Sequence, residues 1–446
     1  MAAGDTIAAL ATAGGTGAVA LIRVSGPEAE KVVSLACNHE GEWRDRVASL
    51  SGVRDAEGGT IDQVLVTLFR APKSYTGETV AEVATHGGRL VTRKVLERLL
   101  ECGARSAQPG EFTERAFFNG KLDLTQAEAV MDLISAQSEL ALRAAHEQLE
   151  GRIGDRSEGL RQELIDTVAN LEAWIDFPEE DIDPETGEAL RKRIASVRDG
   201  IAGLMATSDQ GRILREGLRT VICGRPNAGK SSLMNRLLGT ERAIVSTTEG
   251  TTRDTIEEML VIDGVPVRMV DTAGLREAGD EIEEEGIRRT IREAERADLL
   301  IVVVDSTLPP EGAMPARLPE VSRRIEVLNK ADLVEDPGWA GHEGIRVSCL
   351  DGSGMDLLRA RVRELADLGE ADWGEHSVAI NARHRDCLLR AGEALAKADA
   401  KLAAGAEPEI TSLDLREAME ALGEIAGRID TEEILGSIFS SFCIGK

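Results

Sequence analysis

The sequence predicts a multidomain chain that joins α/β and all-α parts. An α+β domain is expected over residues 1–120, and a helical domain over 121–215 and 376–446, with an α/β domain over 216–375 inserted into it. Three observations lead to this reading. The first 120 residues alternate β-branched runs with Gly and Asp turns. Two later stretches repeat apolar residues every three or four positions. Between those stretches, short apolar runs each deliver a glycine- or aspartate-bearing loop motif. A chain of 446 residues, 42% of them hydrophobic, can bury several cores, and ~100–200 residues per domain suggests about three.

In chain order, residues 19–24 (VALIRV) and 64–69 (VLVTLF) read as strands of the first domain. The segment 113–124 (TERAFFNGKLDL) is polar and aromatic, after which Thr125 and Glu128 form a capping box ahead of an apolar helical pattern. Helical spacing is clearest in Leu160, Leu164, Val168, Leu171 and Ile175. Pro178 and Pro184 bracket an acidic break, PEEDIDP, between two helices. Helical periodicity returns over 386–403 and 412–426, after the inserted domain; insertion is the economical arrangement because insertion points and termini lie close together on surfaces.

Composition narrows the classes further. No apolar run approaches the ~20 residues that span a bilayer, and the start, MAAGDTIAALATAGG, lacks a basic region and a solid apolar stretch. A cytoplasmic protein without a membrane partner is expected. Cys37, Cys102, Cys223, Cys349, Cys387 and Cys443 are scattered, with no C-x-x-C pair; the first five are expected to be small buried hydrophobes. A formal net charge of −27 opposes tight, sequence-independent binding to a polyanion. The first 120 residues hold 13 basic against 15 acidic side chains, so most of the excess acid falls later. If nucleic acid is the substrate, a partner should supply much of the positive surface.

The strand-like run 218–223 (LRTVIC) leads into Gly224-Arg225-Pro226-Asn227-Ala228-Gly229-Lys230-Ser231, which satisfies G-x-x-x-x-G-K-S, and Ser232 continues into a helix. Backbone N–H groups of such a loop cradle phosphate, Lys230 reaches the terminal phosphates, and the Ser231 hydroxyl ligates magnesium. Residues 267–271 end in Asp271-Thr272-Ala273-Gly274, where Asp271 can hold magnesium through water and the Gly274 N–H can meet the terminal phosphate. After the apolar run 299–304, residues 325–328 deliver Asn329-Lys330-Ala331-Asp332. An aspartate there accepts from the N1–H and 2-amino group of guanine, a donor pattern adenine lacks, so GTP should win over ATP. Ser348-Cys349-Leu350 stands where a further loop would contact the guanine carbonyl.

For hydrolysis, Ras-like enzymes place a water-orienting glutamine directly after the D-x-x-G glycine, but that position here is Leu275. The acidic run 276–289 offers Glu277, Glu281, Glu283, Glu284 and Glu285, most of which read as a solvated helix face. Asn227 and the run Ser246-Thr247-Thr248-Glu249-Gly250-Thr251-Thr252 suggest two cation sites, with Thr252 a magnesium ligand. A monovalent ion near the β- and γ-phosphates could replace an arginine finger.

At this point the chain resembles, over essentially its full length, the MnmE (TrmE) family of bacterial tRNA-modifying GTPases. The residues that carry the resemblance are Asp5-Thr6-Ile7-Ala8-Ala9, Arg23-Val24-Ser25-Gly26-Pro27, Ser74-Tyr75-Thr76-Gly77-Glu78, His86-Gly87-Gly88, the run from Pro109 through Glu111, Phe112, Thr113 and Arg115 to Phe117, and Lys121-Leu122-Asp123-Leu124. The nucleotide motifs, with DTAGLR at 271–276, and the final Phe442-Cys443-Ile444-Gly445-Lys446 complete it.

The resemblance implies a folate-binding, dimerising N-terminal domain and a helical domain interrupted by a Ras-like P-loop GTPase domain. It implies a homodimer, potassium-stimulated GTP hydrolysis with magnesium, and 5-formyltetrahydrofolate or a methylene-tetrahydrofolate one-carbon donor. It also implies a heterotetramer or larger complex with the flavoprotein MnmG, the pair adding an aminomethyl or carboxymethylaminomethyl group to C5 of the wobble uridine of certain tRNAs. Residue by residue, the family's catalytic glutamate maps to Glu283, twelve positions after Asp271. Potassium ligands map to Asn227, Ser246, Thr248 and Thr251, magnesium ligands to Ser231 and Thr252, and folate contacts to Arg23, Glu82, Lys121 and Lys446. The family's C-terminal cysteine, needed for tRNA modification rather than for hydrolysis, maps to Cys443.

The chain departs from the family pattern in places. Ser246-Thr247-Thr248-Glu249-Gly250 stands where T-D-I-A-G is common, so one potassium ligand becomes serine and an acid comes near the cation. Cys349-Leu350 replaces the usual alanine and basic residue, and Glu284 and Glu285 flank Glu283. The strongest rival is a ribosome-assembly GTPase acting as an RNA-docking switch; such proteins share the leucine after D-x-x-G but usually carry a basic RNA-binding module. A purely structural GTP-dependent dimer is a third reading, against which the Cys443 tail argues.

Overall fold

The computed structural model describes residues 4–176, 187–240, 257–270, 292–315, 321–366, 379–405, 408–428, 432–440 and 442–446. They cluster into two compact units. The first comprises Met1–Met131, Gly154–Glu158 and Leu422–Lys446, the second Asp132–Ile153 and Gly159–Ala421. The acidic break at 178–184 lies outside the described residues.

The first unit is built on a six-stranded sheet of order β3-β4-β5-β2-β1-β6. Its strands are β1 (Ile7–Leu10), β2 (Val19–Ser25), β3 (Ser49–Arg54), β4 (Thr60–Phe69), β5 (Val80–His86) and β6 (Arg105–Ser106). Neighbours are antiparallel except β1 and β6. Strand alternation sends Ile22, Val24, Val64, Val66, Leu68, Ala81 and Val83 to one face, where the helices Ala29–Cys37 and Arg89–Glu101 cover them. On the opposite face, Ile7 and Ala9 of β1 pack on Phe112 of the helix Glu111–Phe118. Farther along that face Leu50 and Leu65, paired across β3 and β4, remain 68% and 46% exposed.

Four of the polar family residues, Asp5, Glu78, Glu111 and Arg115, form one ion network with Arg105. Arg115, 7% exposed, donates to Asp5 at 2.6 Å, to Glu111 at 3.0 Å and to Glu78 at 3.1 Å, while Arg105 donates to Glu111 at 2.8 Å. Burial pushes the carboxyl groups of Asp5 and Glu111 up, but the bonds and charges of Arg105 and Arg115 outweigh it and hold both below the usual carboxylate range. These residues lock the loop after β4 and the helix Glu111–Phe118 to the start of β1.

The C-terminal helix Glu432–Ser440 belongs to the same unit, with Leu435, Phe439 and Phe442 packed on Leu124, Ala127 and Phe117. The last residues are therefore anchored. Ile444 bridges to Pro109, and Gly445, at φ 98°, lies against the Leu10 carbonyl, which a Cβ would strike.

Two expectations need correction. The helix Leu124–Ser135 does not start at a Thr125–Glu128 box: Asp123 accepts from the Gln126 N–H at 2.8 Å, and Gln126 Oε1 accepts from the Asp123 N–H at 2.9 Å. The box is Asp123–Gln126, two residues earlier, and Thr125 and Glu128 are buried inside the helix. Of the five cysteines expected to be buried, Cys102 and Cys349 are half-buried.

The second unit combines helices with a second six-stranded sheet. Helices Glu139–Leu149, Arg152–Asp176, Gly187–Met205 and Ser208–Glu216 realise the first helical stretch, with Leu164, Val168 and Leu171 buried. Helix Ala382–Ala403 packs along Gly187–Met205, starts at an Asn381–His384 capping box and pairs Asp399 with Arg191 at 2.7 Å. Helix Pro408–Ile425 follows it.

The sheet order is β12-β11-β10-β7-β9-β8. Its strands are β7 (Leu218–Cys223), β8 (Glu257–Ile262), β9 (Val265–Val270), β10 (Leu299–Asp305), β11 (Arg324–Asn329) and β12 (Ile345–Val347), parallel except for the β8–β9 hairpin. That hairpin turns on Asp263 and Gly264, both at positive φ, as an Asp-Gly pair in a two-residue turn favours. β10 is buried along its whole length: Leu299, Ile301 and Val303 enter one core, and Leu300, Val302 and Val304 enter the other with Trp339.

Candidate functional site

From β7 the chain runs to β8 and β9 on one side, then crosses to β10, β11 and β12 on the other. The loop after β7 thus leaves the sheet where the strand order reverses, the usual ligand crevice of an open parallel sheet. Helix Lys230–Thr240 begins directly after this loop, so its first N–H groups face the crevice. Two glycines are required there. A Cβ on Gly224 (φ 151°) would strike the Val303 carbonyl, and one on Gly229 (φ 98°) would strike the Asn329 amide.

Lys230 lies over the loop, donating to the carbonyls of Gly224 and Arg225 at 2.9 Å each, and burial pulls its ammonium below the usual lysine range. Ser231 and Ser232 are exposed on the first helical turn. Asn227 is exposed and sits at φ 61°, a left-handed conformation that asparagine tolerates better than most residues. Ala228 is buried and its carbonyl accepts from Asn329 Nδ2 at 2.9 Å, which ties the phosphate loop to the loop after β11.

Asn329 is 2% exposed and its Oδ1 has no hydrogen-bond partner among the described residues, whereas Asp332 is exposed three residues on. Lys330 adopts φ 66°, and its ammonium pairs with Asp305 at the end of β10. Ala331 N–H donates to the Val347 carbonyl at 3.1 Å, joining this loop to the one after β12. In the latter, the buried Ser348 hydroxyl accepts from the N–H groups of Leu350 and Asp351 at 3.2 Å, so it shapes the loop from within. Cys349 is half-buried and Leu350 is 80% exposed. The loops thus bring together Gly224, Asn227, Ala228, Gly229, Lys230, Ser231, Asn329, Lys330, Ala331 and Asp332, which stand up to 108 positions apart in the sequence. Phosphate-binding N–H groups at one end and an exposed carboxylate at the other match a guanine nucleotide lying across the strand ends.

Ser246, Thr247, Thr248, Glu249, Gly250, Thr251 and Thr252 lie outside the described residues, as do Asp271, Thr272, Ala273, Gly274 and Glu283. Asp305, Ser306 and Thr307 were missed in the sequence. Their signal is an aspartate closing a run of six apolar residues at the carboxyl end of a fully buried strand.

The first unit holds a second constellation. Arg23 and Glu82 stand opposite each other in the β2–β5 register and form an ion pair at 2.8 Å. The Arg23 guanidinium lies 5.2 Å from the centre of the Tyr75 ring and 5.8 Å from that of Phe112. Lys446 is half-buried beside them; burial, and then the Arg23 charge, pull its ammonium below the usual lysine range. Lys121 donates to the Pro72 carbonyl at 3.3 Å, on the loop that carries Tyr75. Cys443 is exposed, three residues before Lys446. Two cations, one carboxylate with an oxygen not used by Arg23, and two aromatic rings make a site suited to a flat, hydrogen-bonding heterocycle bearing anionic groups.

Comparison with known proteins matches two family descriptions to the chain. The family described as "GTP-binding protein TrmE N-terminus" matches residues 6–121, and that described as "MnmE helical domain" matches residues 124–443. The chain is 49% identical over 444 residues to a "tRNA modification GTPase MnmE" of Akkermansia muciniphila, covering 99% of each. It is 42% identical over 453 residues to the protein of the same name from Geobacter metallireducens, again covering 99% of each. With that of an Azoarcus species it shares 44% identity over 454 residues, covering 99% of this chain and 98% of the relative.

Proposed function

The chain belongs to the MnmE (TrmE) family of tRNA modification GTPases, and from that premise we propose that it is a potassium-dependent GTPase working with a flavoprotein on the wobble uridine of certain tRNAs. The observation that carries the nucleotide part is the pairing of the phosphate loop with the Asn329–Asp332 loop through the Asn329–Ala228 bond. It fixes the span between phosphate and base recognition. Within this reading Lys230 neutralises the terminal phosphates, Ser231 and Thr252 hold magnesium, and Asp332 selects guanine. Glu283 orients the attacking water, and a potassium ion held by Asn227, Ser246, Thr248 and Thr251 supplies the charge of an arginine finger.

The folate reading draws support from the cluster of Arg23, Glu82 and Lys446. When bound there, a folate derivative supplies a one-carbon unit. The chain's own part is to orient it: the free Glu82 oxygen accepts from ring N–H donors, while Arg23 and Lys446 face carbonyl or carboxylate oxygens. Lys121, bonded to the Pro72 carbonyl on the loop that carries Tyr75, supplies a further cation within this reading. Homodimerisation draws support from the uncovered apolar pair Leu50 and Leu65 on the N-terminal sheet. Among the described residues no helix is long and apolar enough to cross a membrane.

The test is mass spectrometry of tRNA nucleosides from cells lacking the protein, complemented with wild type, Glu283→Ala, Cys443→Ser or Arg23→Ala. C5-modified wobble uridines should vanish in the deletion and return with wild type alone. Unchanged nucleosides in the deletion would overturn the wobble-uridine assignment, and full restoration by Arg23→Ala would remove the folate reading. Tagged wild type from the same cells should elute as a dimer carrying a flavin-containing partner.

A further inference from the structure

The Asp305–Thr307 segment grips the guanine-recognition loop from behind. Lys330 sits in the left-handed region at φ 66°, which a side chain with a Cβ disfavours. Something must hold it there, and two neighbouring side chains do. Asp305, 8% exposed, takes the Lys330 ammonium on Oδ2, while its Oδ1 accepts from the Thr307 hydroxyl at 2.6 Å and the Thr307 N–H at 3.1 Å. Ser306, fully buried, donates to the Asn329 carbonyl twice, from its hydroxyl at 2.7 Å and from its N–H at 3.1 Å. Burial works against the Asp305 charge, but its bonds to Lys330 and Thr307 outweigh that and hold the carboxyl below the usual range.

We infer that Asp305 and Ser306 are positioning residues for guanine recognition: they clasp Asn329 and Lys330 from the end of β10, and so set how tightly and how long the base is held without entering hydrolysis. The geometry separates the two tasks. The clasp touches the backbone and ammonium of the base-binding loop, whereas Lys230 and Ser231 stand on a different loop. Pinning the Lys330 ammonium to Asp305 also fixes the path of its aliphatic stem, and gripping the Asn329 carbonyl fixes the origin of the turn that carries Asp332. Releasing either should let the loop sample conformations in which Asp332 no longer meets the base. This inference rests on the guanine-nucleotide reading of the site.

The test uses the full-length protein and a fluorescent GDP analogue. Asp305→Ala should raise the dissociation constant about tenfold, which is about 1.4 kcal/mol, mainly through faster release, and leave turnover at saturating GTP within about twofold. Ser306→Ala should shift affinity in the same direction. In a double-mutant cycle, Asp305→Ala added to Lys330→Ala should have almost no further effect, because both remove one interaction. A merely structural role would instead lower the unfolding midpoint and add independently to Lys330→Ala. Nucleotide affinity within twofold of wild type in a folded Asp305→Ala protein, or additive effects in the cycle, would overturn the inference. Should the alanine variant fail to fold, Asp305→Asn keeps the volume and removes the charge, and the same affinity and cycle measurements decide on it. Wild type that binds no guanine nucleotide would instead point to failure of the site's reading itself.

Discussion

At the residue scale, the site depends on positions where the backbone tolerates few substitutes. Gly224 and Gly229 are excluded from bearing a Cβ by the Val303 carbonyl and the Asn329 amide, so the G-x-x-x-x-G spacing reflects two close approaches as well as phosphate binding. Asn227 is different: its side chain is exposed, makes no bond that shapes the loop among the described contacts, and sits at a positive φ that asparagine accepts. It is therefore available as an ion ligand. Asn227→Ala is expected to abolish the difference between GTP turnover in potassium and in sodium while GDP affinity changes less than about threefold, a loss of charge stabilisation confined to the transition state. Turnover that still responds to potassium in this variant would remove Asn227 from the ion site.

At the element scale, caps and strand ends decide where functional groups stand. The Asp123–Gln126 box fixes the start of the helix Leu124–Ser135, against which the C-terminal aromatic residues Phe439 and Phe442 pack. Removing an N-cap aspartate costs about 1 kcal/mol. Asp123→Ala should accordingly speed hydrogen exchange of the Gln126 amide several-fold, with GTP turnover unchanged; equal exchange rates in the two proteins would show that the cap carries no such weight. β10 supplies the other example. Its six apolar residues are consumed by two cores, and the seventh, Asp305, is the first side chain free to act beyond the sheet edge. The run was legible as a strand, but the task of its last residue was not, because the Lys330 that it grips belongs to the next strand's loop.

At the scale of the whole molecule, stability of the N-terminal unit is linked to pH through the Asp5, Glu78, Arg105, Glu111 and Arg115 network. Asp5 and Glu111 have folded-state pKa values below their unfolded ones, so their contribution is present above the ordinary carboxylate range and is lost as pH falls through the depressed values. Unfolding midpoints of the protein should fall as pH drops from about 5 towards 3. Arg115→Met should lower the neutral-pH midpoint strongly, since breaking a buried pair costs roughly 3–5 kcal/mol by stranding carboxylates, and should flatten the acid limb. An acid limb identical to wild type would show that the network does not govern it.

The sequence by itself determined several of the strands and helices, the positions of the nucleotide motifs along the chain and the family the chain resembles, because these depend on local spacing: period two, period three to four, and motifs of four to eight residues. Only the tertiary structure decided which distant side chains meet. Arg23 and Glu82 pair only because the β2–β5 register sets them opposite each other, 59 positions apart in the sequence. Asp5 and Arg115 meet across 110 positions, and Lys446 reaches Arg23 because Phe439, Phe442 and Gly445 are packed in place. Such pairings are set by sheet register and core packing, which sum many weak contacts over the whole unit, so no window of the sequence contains them.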